Sequence, residues 1–147
     1  MTWFTDLSPC TCLPIEDSDS VLAVGWLERD RPFATGDVPA AVYVRLGELL
    51  RDPWQPFVAM GMHQCDLCRF TAEARGARNL FVPGDGVIFV CPELILHYVN
   101  AHGYAPHDEF CSAVLKCPDT RTMEYRRLLL ASGGRCLLRA DKDQLAG

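Results

Sequence analysis

The chain has 147 residues, 49% of them hydrophobic and 22% charged, with a formal net charge of -5. That balance excludes a disordered polyelectrolyte and supplies enough apolar surface for one buried core. No apolar run approaches the ~20 residues that cross a bilayer, and the start, Met1 to Asp6, lacks a signal peptide's basic and apolar regions, so a cytoplasmic protein without a membrane role is expected.

Eight cysteines in a chain of this length and compartment point to metal binding or burial rather than to a disulfide framework. Charge is uneven: residues 1–62 hold nine acids against four bases, whereas residues 116–142 hold seven bases against three acids. The basic end reads first as a solvated helix face, with an acidic partner as the alternative.

In chain order, residues 1–20 are rich in Pro, Ser, Thr and acids and read as an irregular arm carrying Cys10 and Cys12. Val21 to Leu27 reads as a short buried strand, and Glu28 to Gly36 as a loop. Trp26 and Phe33 combine large aromatics with the rigid Pro32 and flanking charges, a composition found at interface centres, and they are the candidate partner-binding residues. A Trp inside an apolar run also suits the core. Asp37 predicts a helix start with Pro39 in the first turn, and Val42, Leu46 and Leu49 repeat at helical spacing up to Pro53.

The next segment carries the chemistry. Cys65-Asp66-Leu67-Cys68 is followed by two strands, Phe70 to Ala74 and Asn79 to Val82, predicted to pair across Arg75 to Arg78; Val87 to Val90 follows the Gly84-Asp85-Gly86 turn. Cys91 then predicts a helix start with Pro92 in the first position, and the helix runs through His97 and His102 to Gly103. Further helices are predicted over Asp108 to Lys116 and Thr120 to Ser132, with an edge strand over Arg135 to Arg139 and a loose tail at 141–147.

Two thiolates and two imidazoles in closely spaced pairs can surround one tetrahedral Zn²⁺, so Cys65, Cys68, His97 and His102 are the expected ligands of a structural zinc ion. His63 and Cys91 are alternative ligands by proximity. Side chains five apart on an ideal helix point about 140° apart, so the two histidines converge only where the last turn loosens. A redox role for the thiol pair needs it to open a helix, and a strand is predicted there instead. The expected architecture is α+β: one domain over 1–147 with a small β-meander and about four helices, and an enlarged ββα zinc-finger-like module at 60–105 within it.

Met1-Thr-Trp-Phe, Asp6-Leu-Ser-Pro9, Gly25-Trp-Leu27, Cys65-x2-Cys68 and His97-Tyr-x3-His-Gly-Tyr104 followed by Glu109-Phe110 resemble a family of small uncharacterised bacterial proteins, a domain of unknown function. The resemblance spans roughly residues 1–117, implies a small soluble bacterial protein, and implies no reaction. Aromatic residues stand in that family where Cys10 and Cys12 stand here, which weakens a metal role for those two thiols.

Three functions from different classes follow. A four-ligand site is coordinatively full, which favours a non-enzymatic, zinc-stabilised module that binds another protein. A nucleic-acid-binding finger would need Lys, Arg, Asn or Gln on its recognition helix, and Pro92 to Gly103 offers only Asn100. A zinc hydrolase would need an open coordination position and a nearby base, for which Glu93 is the candidate.

Overall fold

Ile88 to Pro92 is apolar without alternation, the pattern of a strand covered on both faces, and it becomes the centre of the sheet. The computed structural model describes residues 4–10, 20–56, 63–65, 67–68 and 75–139. In chain order these form β1 (Val21–Ala23), α1 (Ala40–Leu49), β2 (His63–Gln64), β3 (Arg75–Gly76), β4 (Asn79–Pro83), β5 (Ile88–Pro92), α2 (Ile95–His102), α3 (Asp108–Lys116) and α4 (Met123–Ala131). A further short helical stretch covers residues 135–139.

The fold is α+β, with a three-stranded sheet in the order β1-β5-β4 and a separate pair, β2 and β3. β4 and β5 form an antiparallel hairpin closed by the Gly84–Val87 turn, whereas β1 runs parallel to β5 with Val21 opposite Ile88. A parallel partner needs a long crossover, here one that includes α1. Phe89 meets Phe110 of α3 edge-on, and Phe81 packs near Trp54, whose ring also meets Tyr125 of α4. Burying each such ring stabilises by about 1.5–3 kcal/mol, so these contacts make the sheet and its helices one core.

Several boundaries differ from the sequence expectation. α1 begins at Ala40, with Pro39 in an extended cap conformation rather than in the first turn behind Asp37. Proline disfavours helical geometry in the residue before it, so Val38 stays extended and Asp37 cannot cap. The same rule applies to Cys91 before Pro92. Both residues end β5, paired with Leu80 and Asn79, and the helix starts only at Ile95. Residues 70–74, expected to pair with Asn79 to Val82, lie outside the described residues; Arg75 and Gly76, expected as a turn, instead pair with Gln64 and His63, while β4 and β5 pair across the Gly84 turn as the expected meander has it.

Residues 135–139 are helical rather than an edge strand, because the Gly134 carbonyl accepts from both Leu137 and Leu138 and draws Leu137 into the core. At the other end, residues 4–10 lie along β1: Leu7 donates to Ala23, Cys10 donates to Val21, and Ser8 accepts from Ala23. The irregular arm is therefore strand-like over this stretch. Asp6 secures it, accepting 2.6 Å from the Tyr104 hydroxyl and 3.1 Å from the Gly25 N–H. Residues 11–19, with Cys12, and the tail at 141–147 lie outside the described residues.

Candidate metal centre

α2 turns Ile95 and Tyr98 into the core and leaves His97 and His102 half-buried. Its end is shaped by Gly103, which adopts the left-handed conformation at φ +69° and donates its N–H to the Tyr98 carbonyl five residues back. That wide closing turn supplies the loosening that the five-residue spacing requires, and the two imidazole rings come to 5.0 Å between centroids. The thiols come from the chain just after β2. Cys65 is buried and Cys68 half-buried.

The four side chains meet. Cys68 Sγ lies 3.1 Å from His97 Nε2 and 3.4 Å from His102 Nε2, and Cys65 Sγ lies 3.4 Å from His102 Nε2. All four ligand atoms fall within 4.8 Å of one another. A tetrahedron with zinc-to-sulfur bonds of about 2.3 Å and zinc-to-nitrogen bonds of about 2.05 Å has sulfur-to-nitrogen edges of roughly 3.6 Å. The observed edges are within half an ångström of that, so a metal ion can be held here with small side-chain adjustments.

The local electrostatics fit ligands rather than charged surface groups. Burial pushes the Cys65 thiol up; the backbone N–H groups of Leu67 and Cys68, which hydrogen-bond its sulfur, pull it back, and the neighbouring Cys68 raises it again. A bound cation would outweigh these effects and deprotonate the thiol. Burial, helped by the charge of His97, lowers the pKa of His102 and so favours the neutral imidazole that a metal requires.

Glu93 occupies a different position from that of a free base. Its Oε1 accepts from the Arg78 guanidinium at 2.9 Å, and its Oε2 accepts from the N–H groups of Ala77 and Arg78, each at 3.2 Å. Burial alone would raise its pKa; the bonds from Arg78 and Ala77 and the Arg78 charge outweigh it, and the net shift is downward. A depressed carboxyl pKa stabilises the fold above the unfolded value, and that stability disappears as pH falls through the folded one. Glu93→Gln should therefore flatten the acid limb of the stability curve. Parallel acid limbs for variant and wild type, measured by urea unfolding between neutral and acid pH, would show that the ionic part of this contact contributes nothing.

The other sequence candidates are dispersed. Cys91 is fully buried in β5, where burial, with Cys117 nearby, pushes its thiol far up, and it does not join the metal group. His63 contributes backbone to β2, and its side chain lies outside the described residues. Cys10 and Cys117 are also core residues, the latter pushed up to about 12 mainly by burial. Trp26 is 3% exposed and donates its indole N–H to the Val90 carbonyl, which places it in the core rather than on a surface. Phe33 is half-buried, set edge-on to Tyr104 at 6.2 Å.

Sequence reasoning missed a link between that loop and the metal helix. Gly36 donates to the Gly103 carbonyl, Ala105 donates to the Ala34 carbonyl, and Thr35 bridges to Tyr104, so the loop is stitched to the residues directly after His102. Backbone pairing of this kind depends on no residue type, and only Gly36 and Gly103 hint at a close approach. Among the described residues no helix is long and apolar enough to cross a membrane.

No curated protein and no solved structure matches the chain. A family profile does match, over residues 2–115, a span that contains the arm, the sheet, the loop and all four cluster residues. The chain thus belongs to the family described as Domain of unknown function (DUF7919).

Proposed function

We propose that this domain is a zinc-stabilised, non-enzymatic module that presents the 28–37 loop to another protein. The observation that carries the proposal is the joint arrangement of the four-donor cluster and the loop. Two sulfurs and two imidazole nitrogens at tetrahedral spacings suit Zn²⁺ above hard cations, and four protein donors leave no position for substrate. The chain after the last histidine is hydrogen-bonded to Ala34 and Gly36, so an ion that rigidifies the end of α2 also rigidifies the loop. Arg29 to Pro32 and Ala34 to Asp37 are exposed while Phe33 anchors the loop from within.

The alternatives have less support. α2 carries no Lys or Arg with which to neutralise phosphate, and the chain is acidic as a whole. A hydrolytic role would need Glu93 as base, and both of its oxygens are engaged by Arg78 and Ala77.

Elemental analysis of protein purified without added metal tests the first half of the proposal: one zinc per chain is expected, and well-folded protein without zinc overturns it. The second half is tested with Phe33→Ala. The variant should keep its zinc and lose about tenfold or more in affinity for a protein captured from the native host, because the exposed loop loses the anchor that Phe33 makes on Tyr104. Unchanged capture by zinc-loaded Phe33→Ala would remove this loop as the docking site.

A further inference from the structure

The two ligand pairs stand on separate pieces of structure. Cys65 and Cys68 follow β2, which among the described residues pairs with β3 alone; His97 and His102 stand on α2, which follows β5. A two-residue strand pair is marginal in water and needs an anchor to hold the thiols opposite the imidazoles. The anchor visible in the structure is Glu93. Its carboxylate takes the N–H groups of Ala77 and Arg78, its own N–H donates 2.9 Å to the Arg78 carbonyl, and the Arg78 guanidinium closes on Oε1.

Arg78 carries the connection further, donating to the Leu50 and Arg51 carbonyls at the end of α1. The guanidinium thus sits at the negative pole of that helix. Gly76 allows the approach: a Cβ there would lie 2.9 Å from both Cβ and Oε2 of Glu93, closer than side-chain atoms pack. Gly76 pairs with His63, two residues before Cys65, and Glu93 lies in the turn before α2, four residues ahead of His97. Through these contacts the ligand pairs are joined by a path far shorter than the 28 residues that separate Cys68 from His97 along the chain.

We propose that the Glu93–Arg78 clamp over Gly76 is a metal-independent positioning device, which holds the thiol-bearing hairpin against the histidine helix before the ion arrives and so raises metal affinity. This rests on the metal reading given above. A pre-positioned donor set loses less conformational freedom on binding, which is why residues behind the ligands commonly alter metal affinity by about 10–100-fold. Glu93 and Arg78 touch no ligand atom in this scheme; they act through the Ala77–Arg78 backbone directly after β3.

The test uses the full chain as wild type, Glu93→Gln, Gly76→Ala and Tyr125→Phe. Tyr125→Phe serves as a remote destabilising control, since that hydroxyl donates to the Phe81 carbonyl in the core. Amide hydrogen exchange at residues 77 and 78 is measured on chelator-treated protein, and cobalt(II) affinity by chelator competition, following the visible bands of tetrahedral thiolate coordination. Wild type should protect both amides without metal. Glu93→Gln should lose that protection and bind cobalt about 10–100-fold more weakly with the same type of spectrum, Gly76→Ala should shift in the same direction, and Tyr125→Phe should bind as wild type does.

Wild-type cobalt affinity in both clamp variants, or equal weakening in Tyr125→Phe, overturns the clamp. If Glu93→Gln does not fold, Gly76→Ala and Arg78→Lys decide by the same two readouts. Wild-type protein that protects residues 77 and 78 yet takes up no cobalt overturns the metal reading itself, a result distinct from loss of the clamp.

Discussion

Cys68→Ser is expected to lower the unfolding free energy of the zinc-loaded protein by about 3–5 kcal/mol, because an ion present at roughly a thousandfold excess over its dissociation constant stabilises the folded state by about 4 kcal/mol. Cys68 Sγ lies within 3.4 Å of both imidazoles, and a hydroxyl in its place is a poor donor for zinc. The loss should be regional. The β1-β5-β4 sheet and its contacts with α3 and α4 do not pass through the cluster, so far-ultraviolet circular dichroism should survive while the thiols after β2 come loose from His97 and His102. Stripping zinc from the wild type with a strong chelator should reproduce the same state. Cys136→Ser, half-buried outside the cluster, should cost under about 1 kcal/mol. Equal thermal melts for Cys68→Ser and wild type, both loaded with zinc, would remove the ion from the stability of this protein.

Trp26→Ala should cost about 3–5 kcal/mol, the range for deleting a large aromatic from a packed core. The indole is 3% exposed, meets Phe4 edge-on at 5.8 Å, and donates 3.0 Å to the Val90 carbonyl across the junction of β1 and β5. Trp26→Phe should be milder, since the Val90 carbonyl keeps the Val24 N–H as a donor at 3.0 Å and most of the apolar contact survives. Urea midpoints with an unchanged slope measure both. A cost below about 1 kcal/mol for Trp26→Ala would mean that the ring packs too loosely to be core and belongs to a contact surface.

The parts of this protein that its sequence determined are those set by local spacing. Asp108 to Lys116 is a helix with acids in its first turn and Lys116 in its last, bounded as the pattern of capping and charge predicts. The β4–β5 hairpin follows from two apolar runs around Gly84 and Gly86. The two ligand pairs are also local signals, because a metal site demands particular side chains at short intervals, and Gly103 marks where the helix must loosen. Tertiary structure decided what distant backbone groups do. The parallel pairing of Val21 with Ile88, the strand-like run of Leu7 to Cys10 along β1, and the extension of β5 through Pro92 all satisfy hydrogen-bonding groups whose partners lie far away in the chain. The same holds for Glu93, which in sequence looks like a first-turn acid or a base and in space is the acceptor for Ala77 and Arg78. A carboxylate accepts from any backbone N–H, so its choice of partner leaves no pattern of residue types to read, and only the packing of the hairpin on the helix brings that partner within reach.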